Sequence, residues 1–173
     1  MTETLSPALP PDIEALIHQV LESACARDLK LATAESCTGG LIASVLTDVD
    51  GCAHVFDRGF VVYSNDAKRD LLGVPADLLT DPGPVSEVVA RAMADGALAR
   101  SDADISVAVT GFTGPGGPGD TPGLVHFGLA RRGQPTIHHV DHFGVVDRGE
   151  GRLASLRAAM NLLKAAIAGE ETC

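Results

Sequence analysis

Tryptophan is absent from this 173-residue chain, and tyrosine occurs once, at Tyr63. Aromatic residues make up 3% of the total, which leaves little ring surface for stacking on single-stranded nucleic acid. Basic residues are scarce too. Thirteen lysines and arginines stand against 23 aspartates and glutamates, a net charge of −10. That balance argues against a nucleic-acid partner but not against a small anion held by a local positive group. The four cysteines, Cys25, Cys37, Cys52 and Cys173, form no C-x-x-C pair, so zinc-ribbon and thioredoxin-like readings are weak. No apolar run is long enough to span a bilayer, and no basic segment followed by an apolar run opens the chain. A cytoplasmic protein with free thiols, no signal peptide and no membrane partner is the expectation.

What is present is the composition of one globular domain, 45% apolar and 21% charged. Residues 1–11 carry prolines and no periodicity, and read as a loose arm. From Asp12, a plausible cap, Ile13, Leu16, Ile17, Val20, Leu21 and Ala24 recur at helical spacing. A strand is expected over Lys30–Ala34, then a turn, then a helix ending near Asp48 to Gly51. Gly59–Ser64 reads as a second strand, and Ser64 caps a short helix closed by Gly73. Asp81–Pro84 is a loop, and Ser86 caps a longer helix. Asp104–Thr110, Gly123–Ala130 and Thr136–Phe143 read as three more strands, the last two joined closely enough for an antiparallel hairpin. A final helix runs from about Asp147 to Ala168. The alternation of strands and helices argues an α/β sandwich with a mixed, mainly parallel sheet.

Ligands of such sheets sit beyond the carboxyl ends of the strands. Ser36-Cys37-Thr38-Gly39-Gly40 follows the first strand and places three candidate reacting groups at one turn. The helix start behind the glycines suits a phosphate or a developing oxyanion, and equally a plain capped turn. Serine needs a base, and no histidine or carboxylate stands at a familiar triad spacing from Ser36. Lys68, in the first turn of its helix, is a candidate if neutral; bringing a lysine pKa from about 10.4 to near 7 costs roughly 4–5 kcal/mol. Tyr63 is placed to relay a proton or to orient Lys68. Read by spacing alone, Lys68 is more readily a solvated helix lysine. Cys37 is the intrinsically better nucleophile, with a thiol pKa that a helix start would lower. His138, His139 and His142 invite a metal reading that no accompanying cysteine or carboxylate cluster supports.

Three motifs in order carry a resemblance. They are Thr33-Ala34-Glu35-Ser36-Cys37-Thr38-Gly39-Gly40, Tyr63-Ser64-Asn65-Asp66-Ala67-Lys68 and Val109-Thr110-Gly111-Phe112-Thr113-Gly114-Pro115-Gly116-Gly117. Together they resemble the CinA C-terminal family, the nicotinamide-nucleotide amidases, over about Asp12 to Ala168. The resemblance implies a three-layer α/β/α sandwich with a mixed five-stranded sheet and one antiparallel strand. It implies hydrolysis of the carboxamide of nicotinamide mononucleotide to nicotinate mononucleotide and ammonia, in pyridine nucleotide salvage, with no metal or cofactor. It implies Ser36 as nucleophile, Lys68 as general base and oxyanion donors from the Thr38-Gly39-Gly40 amides. Cys37, Thr38, Gly39, Gly40, Thr110, Gly111, Gly114 and Arg148 are implied substrate contacts, and a homo-oligomer is expected. Arg148 and Arg152 are both placed either to meet a phosphate or to brace the fold. The chain departs from the family pattern at Cys52-Ala53, where hydroxyl residues are usual, and at Asp120, which stands in a segment that usually brings a lysine. A nucleotide-binding module of the same fold, without turnover or with altered specificity, is the alternative.

Overall fold

The computed structural model describes residues 9–115 and 117–169. Most of the expected arm, residues 1–8, lies outside that range, as do Gly116 and Cys173. The arm ends earlier than its sequence suggested, because Leu9 packs on the core and Pro11 opens the first helix.

The elements in chain order are α1 Pro11–Ala26, β1 Leu31–Glu35, α2 Leu41–Val45, β2 Phe56–Val61, α3 Asn65–Leu72, α4 Ala76–Thr80, α5 Glu87–Ala99, β3 Ile105–Gly111, β4 Leu124–Arg131, β5 Ile137–His142 and α6 Arg148–Ala168. The five strands form one sheet in the order β2-β1-β3-β4-β5. β1 pairs parallel with both β2 and β3, and β4 runs antiparallel between β3 and β5. Four strands therefore point one way and one points back, as the resemblance implied.

Each face of the sheet chooses its helices by side-chain size. Leu31, Ile105, Val107, Val109, Val125 and Phe127 face α1, α2 and α6 and build the larger core with Ile13, Val20, Leu156 and Met160. The opposite face carries Ala34, Ala108 and Ala130, over which Val89, Met93 and Ala97 of α5 pack. Small residues let α5 lie close. Ser106 donates from Oγ to the Ala94 carbonyl at 2.7 Å, and a Cβ on Gly128 would stand 2.2 Å from the Ala90 oxygen.

Several local expectations change in detail. Asp12 does not cap α1. Pro10 holds the cap position without a side-chain bond, and Asp12 reaches across to Arg157 of α6 at 2.7 Å. Ser86 precedes α5, but its hydroxyl donates to the Gly83 carbonyl and receives no helix amide. Ser64 and Asp147 are true caps, accepting from Ala67 N–H and Glu150 N–H, each worth about 1 kcal/mol. α2 stops at Val45, well before Asp48. Thr47 N–H and Asp48 N–H bond three residues back, and the Thr47 hydroxyl takes the Ser44 carbonyl, so the helix tightens into turns. α4 was not expected; five residues are too few to display a helical period.

Candidate active site

The strand order 2-1-3 makes a switch point between β1 and β3, and the carboxyl ends of β1, β2 and β3 lie along one edge. Ser36 extends the β1 ladder by one residue, its N–H donating to the Val109 carbonyl at 3.0 Å. The chain then turns sharply. Gly39 and Gly40 adopt φ +65° and +96°, a left-handed backbone that side-chain-bearing residues rarely take.

Lys68 arrives from α3, which starts just after β2. It is among the largest fully buried side chains, 1% exposed. Its Nζ donates to Ser36 Oγ at 3.0 Å, to the Val62 carbonyl at 3.0 Å and to the Tyr63 carbonyl at 3.2 Å. Among the described residues its hydrogen-bond partners are two carbonyls and the serine, and no carboxylate pairs with it. Burial therefore dominates and holds its pKa below the usual lysine value. In the neutral form two N–H groups keep the carbonyls and the lone pair falls to the Ser36 hydroxyl, which then donates. The two carbonyls aim the base.

Ser36, Cys37, Tyr63, Lys68, Thr110, Gly111, Gly114 and Arg148 line a single cavity of about 400 Å³, joined by Asn65, Val85, Thr113 and Asp120. Three expected contacts, Thr38, Gly39 and Gly40, are not among its lining residues. Their work is elsewhere: Thr38 Oγ1 and Gly40 N–H donate to Glu35, and Gly39 N–H donates to the Ser36 carbonyl. The Gly39 and Gly40 amides are thus occupied, which corrects their assignment as oxyanion donors. Among the described residues, the Cys37 and Thr38 amides donate to no other residue.

Glu35 is the residue the sequence reading missed. It is fully buried and accepts from Thr38 Oγ1, Gly40 N–H and Ile42 N–H at Oε2 and from Ala43 N–H at Oε1. A carboxylate therefore already fills the α2 N-terminus, and that helix start is not open to a phosphate. One signal was available. A glycine at the cap position supplies no side-chain acceptor, so the first amides of α2 had to find one nearby.

Cys37 does not have the low pKa that its position suggested. Burial pushes the thiol up to about 12, and the Glu35 charge adds to the rise, so the thiolate is scarce at neutral pH. Tyr63 contributes its carbonyl to Lys68, while its side chain is exposed at the cavity rim, 69% accessible. Thr110 donates to the Pro84 carbonyl at 2.7 Å and ties the end of β3 to the loop before α5. Gly111 is required by strand pairing, since a Cβ there would stand 2.6 Å from the Leu124 oxygen.

The two arginines separate. Arg148 opens α6 beside Gly114 and makes no hydrogen bond or ion pair among the described residues. Arg152 instead donates to the Cys37 carbonyl at 3.3 Å, which Thr113 Oγ1 also reaches at 3.4 Å. Asp120 accepts the Gly117 N–H at 2.7 Å and holds the glycine loop as a turn. Cys52 is buried in the larger core and Ala53 is exposed, and neither lines the cavity. His138 pairs with His126 at 2.9 Å and His139 with Asp141 at 3.1 Å. Among the described residues no group of His, Cys, Asp and Glu is arranged to hold a metal ion. No described helix is long and apolar enough to cross a membrane.

A family model for the CinA C-terminal domain matches residues 13–167. A CinA-like protein of Akkermansia muciniphila is 48% identical over 141 residues, which are 80% of this chain and 34% of that protein. The crystal structure of the competence/damage inducible protein CihA from Agrobacterium tumefaciens superposes with a TM-score of 0.88 at 47% identity, covering 92% of this chain and 98% of that one. The structure of the competence damage-inducible protein A from Klebsiella pneumoniae gives a TM-score of 0.85 at 35% identity over 92% of this chain and 99% of that one. The chain spans 29–40% of the length of the curated relatives it matches. With three strand ends converging on one cavity and the family match covering all of them, the chain belongs to the CinA C-terminal domain family.

Proposed function

We propose that the chain is a serine–lysine amidohydrolase that converts nicotinamide mononucleotide to nicotinate mononucleotide and ammonia. The observation that carries this reading is the 3.0 Å contact between a buried, carboxylate-free Lys68 and Ser36. Neutral Lys68 takes the Ser36 proton as Oγ attacks the carboxamide carbon. The developing oxyanion is met by the amide of Cys37, which lines the cavity beside Ser36. Lys68 returns the proton to the departing nitrogen, ammonia leaves, and an acyl ester remains on Ser36. Lys68 then activates water to release the carboxylate. Arg148, whose side chain has no hydrogen bond or ion pair among the described residues, suits the nucleotide phosphate.

The test is ammonia and nicotinate mononucleotide release from the nucleotide by the purified chain, with a chelator present. Both products in equal amounts support the reading; neither product removes it. A second reading, nucleotide binding without turnover, draws on Asp120, whose charge stands in the same cavity as Arg148. Tight binding of the intact nucleotide with no ammonia would favour it. Action in the cytoplasm as an assembly of identical chains belongs to the same proposal, and light scattering checks the assembly.

A further inference from the structure

We propose that Glu35 is a positioning residue for the Ser36 chemistry: by taking up the Thr38 hydroxyl and the Gly40, Ile42 and Ala43 amides, it fixes the turn so that the Cys37 amide, which donates to no other described residue, faces the oxyanion. The inference rests on the serine–lysine reading above. Glu35 is the last residue of β1, adjacent to the nucleophile, and fully buried. Its four acceptor contacts measure 2.7–3.1 Å. They link the strand end, the middle of the turn and the first turn of α2. The turn is held from its other side as well, where Arg152 and Thr113 both donate to the Cys37 carbonyl. In a trans peptide the N–H points opposite to the C=O. Pinning the Cys37 carbonyl toward Arg152 and Thr113 therefore fixes the plane of the peptide that follows Cys37. Ser36 to Ala43 carry one demand for acceptors, and Glu35 meets most of it without touching the cavity.

The site accepts and does not donate. In Glu35→Gln the amide oxygen can replace one carboxylate oxygen, but the NH2 group would then face an N–H or the Thr38 hydroxyl. The near-isosteric variant is therefore expected to fail where a merely space-filling role would tolerate it.

The experiment measures Ser36 labelling by an alkyl fluorophosphonate, whose phosphoryl oxygen takes the oxyanion's place, together with kcat, KM and thermal stability. For folded Glu35→Gln the labelling rate is expected to fall at least about tenfold and kcat about a hundredfold, the size expected for a misplaced oxyanion donor, with KM within about threefold. The Lys68 limb of the pH profile should stay where it is in wild type. Wild-type labelling in folded Glu35→Gln would overturn the proposal, as would a KM that rises in step with the loss of turnover. If Glu35→Gln does not fold, Thr38→Val decides. It removes one donor and keeps the carboxylate, and roughly tenfold slower labelling is expected; an unchanged rate overturns the proposal. Wild type that labels at Ser36 but releases no ammonia would remove the substrate reading and leave the role of Glu35 standing.

Discussion

Lys68 shows how a single residue can be read correctly by type and incompletely by environment. Its position one turn into a Ser64-capped helix is legible from sequence. Its burial is not, because burial depends on β2 lying beside β1. The same is true of Tyr63, where the ring drew attention and the carbonyl does the work; every residue has a carbonyl, so no side-chain pattern reports it. Glu35 was hidden for the converse reason, since a carboxylate at a strand end looks like any polar terminus until its four donors are placed. The pH dependence follows from Lys68. Its folded pKa is lowered by burial, so the neutral base forms at a pH below the usual lysine range. Turnover is expected to rise with pH through that pKa and to be lost below it. Lys68→Arg, which stays protonated, should lose at least about a hundredfold in kcat at every pH tested. A pH–rate profile of both forms checks this, and activity in the arginine variant would count against a neutral base. Thr33 offers a stability test. Its buried hydroxyl finds no hydrogen-bond partner among the described residues. Thr33→Val should therefore leave stability unchanged or raise it by about 1 kcal/mol in urea denaturation.

At the scale of elements, period and capping locate most of the helices and strands, and their ends are where the reading slips. α2 is cut short by competing turn bonds, and α4 is too brief to leave a periodic signal. Contact between elements adds requirements that no local pattern shows. Gly128 reads in sequence as a weakness in a strand, yet it is the point where α5 meets the sheet, with the Ala90 carbonyl 2.2 Å from a would-be Cβ. Gly128→Ala is expected to cost about 1–3 kcal/mol of stability, read from the denaturation midpoint. The β4–β5 hairpin carries a second element-level device. His126 and His138 lie 2.9 Å apart, and burial lowers the pKa of both, with the His138 charge adding to the shift on His126. Glu87 opposes the shift on both rings, and His142, Arg91 and His139 add to it. A histidine with a lowered folded pKa contributes stability above its unfolded pKa of about 6.5 and loses it as pH falls toward the folded value. The melting temperature should therefore drop on acidification below about pH 6.5, and less so in His126→Gln. Equal pH dependence in the two proteins would remove the pair as the cause.

For the whole molecule, the alternation of strands and helices makes the α/β class legible, and the short Arg132–Pro135 link makes the hairpin legible. The order of the strands is not written in any one segment. It follows from which faces must be buried, with the buried β1 and β3 inside the sheet and the partly exposed β2 and β5 at its two edges. That order brings residue 36 and residue 68 within hydrogen-bond distance, and it places Arg148 of the last helix at the same cavity. It also separates the two family departures: Cys52-Ala53 lies away from the cavity, whereas Asp120 lines it. The central claim is that Ser36 and Lys68 act as one unit. Its most direct test is ammonia release from nicotinamide mononucleotide by wild type, Ser36→Ala and Lys68→Ala, each first shown to be folded. Wild-type turnover that falls by at least about a thousandfold in both variants is the predicted result. Turnover that survives in Ser36→Ala would contradict the account and transfer the nucleophile's role to another group in the cavity.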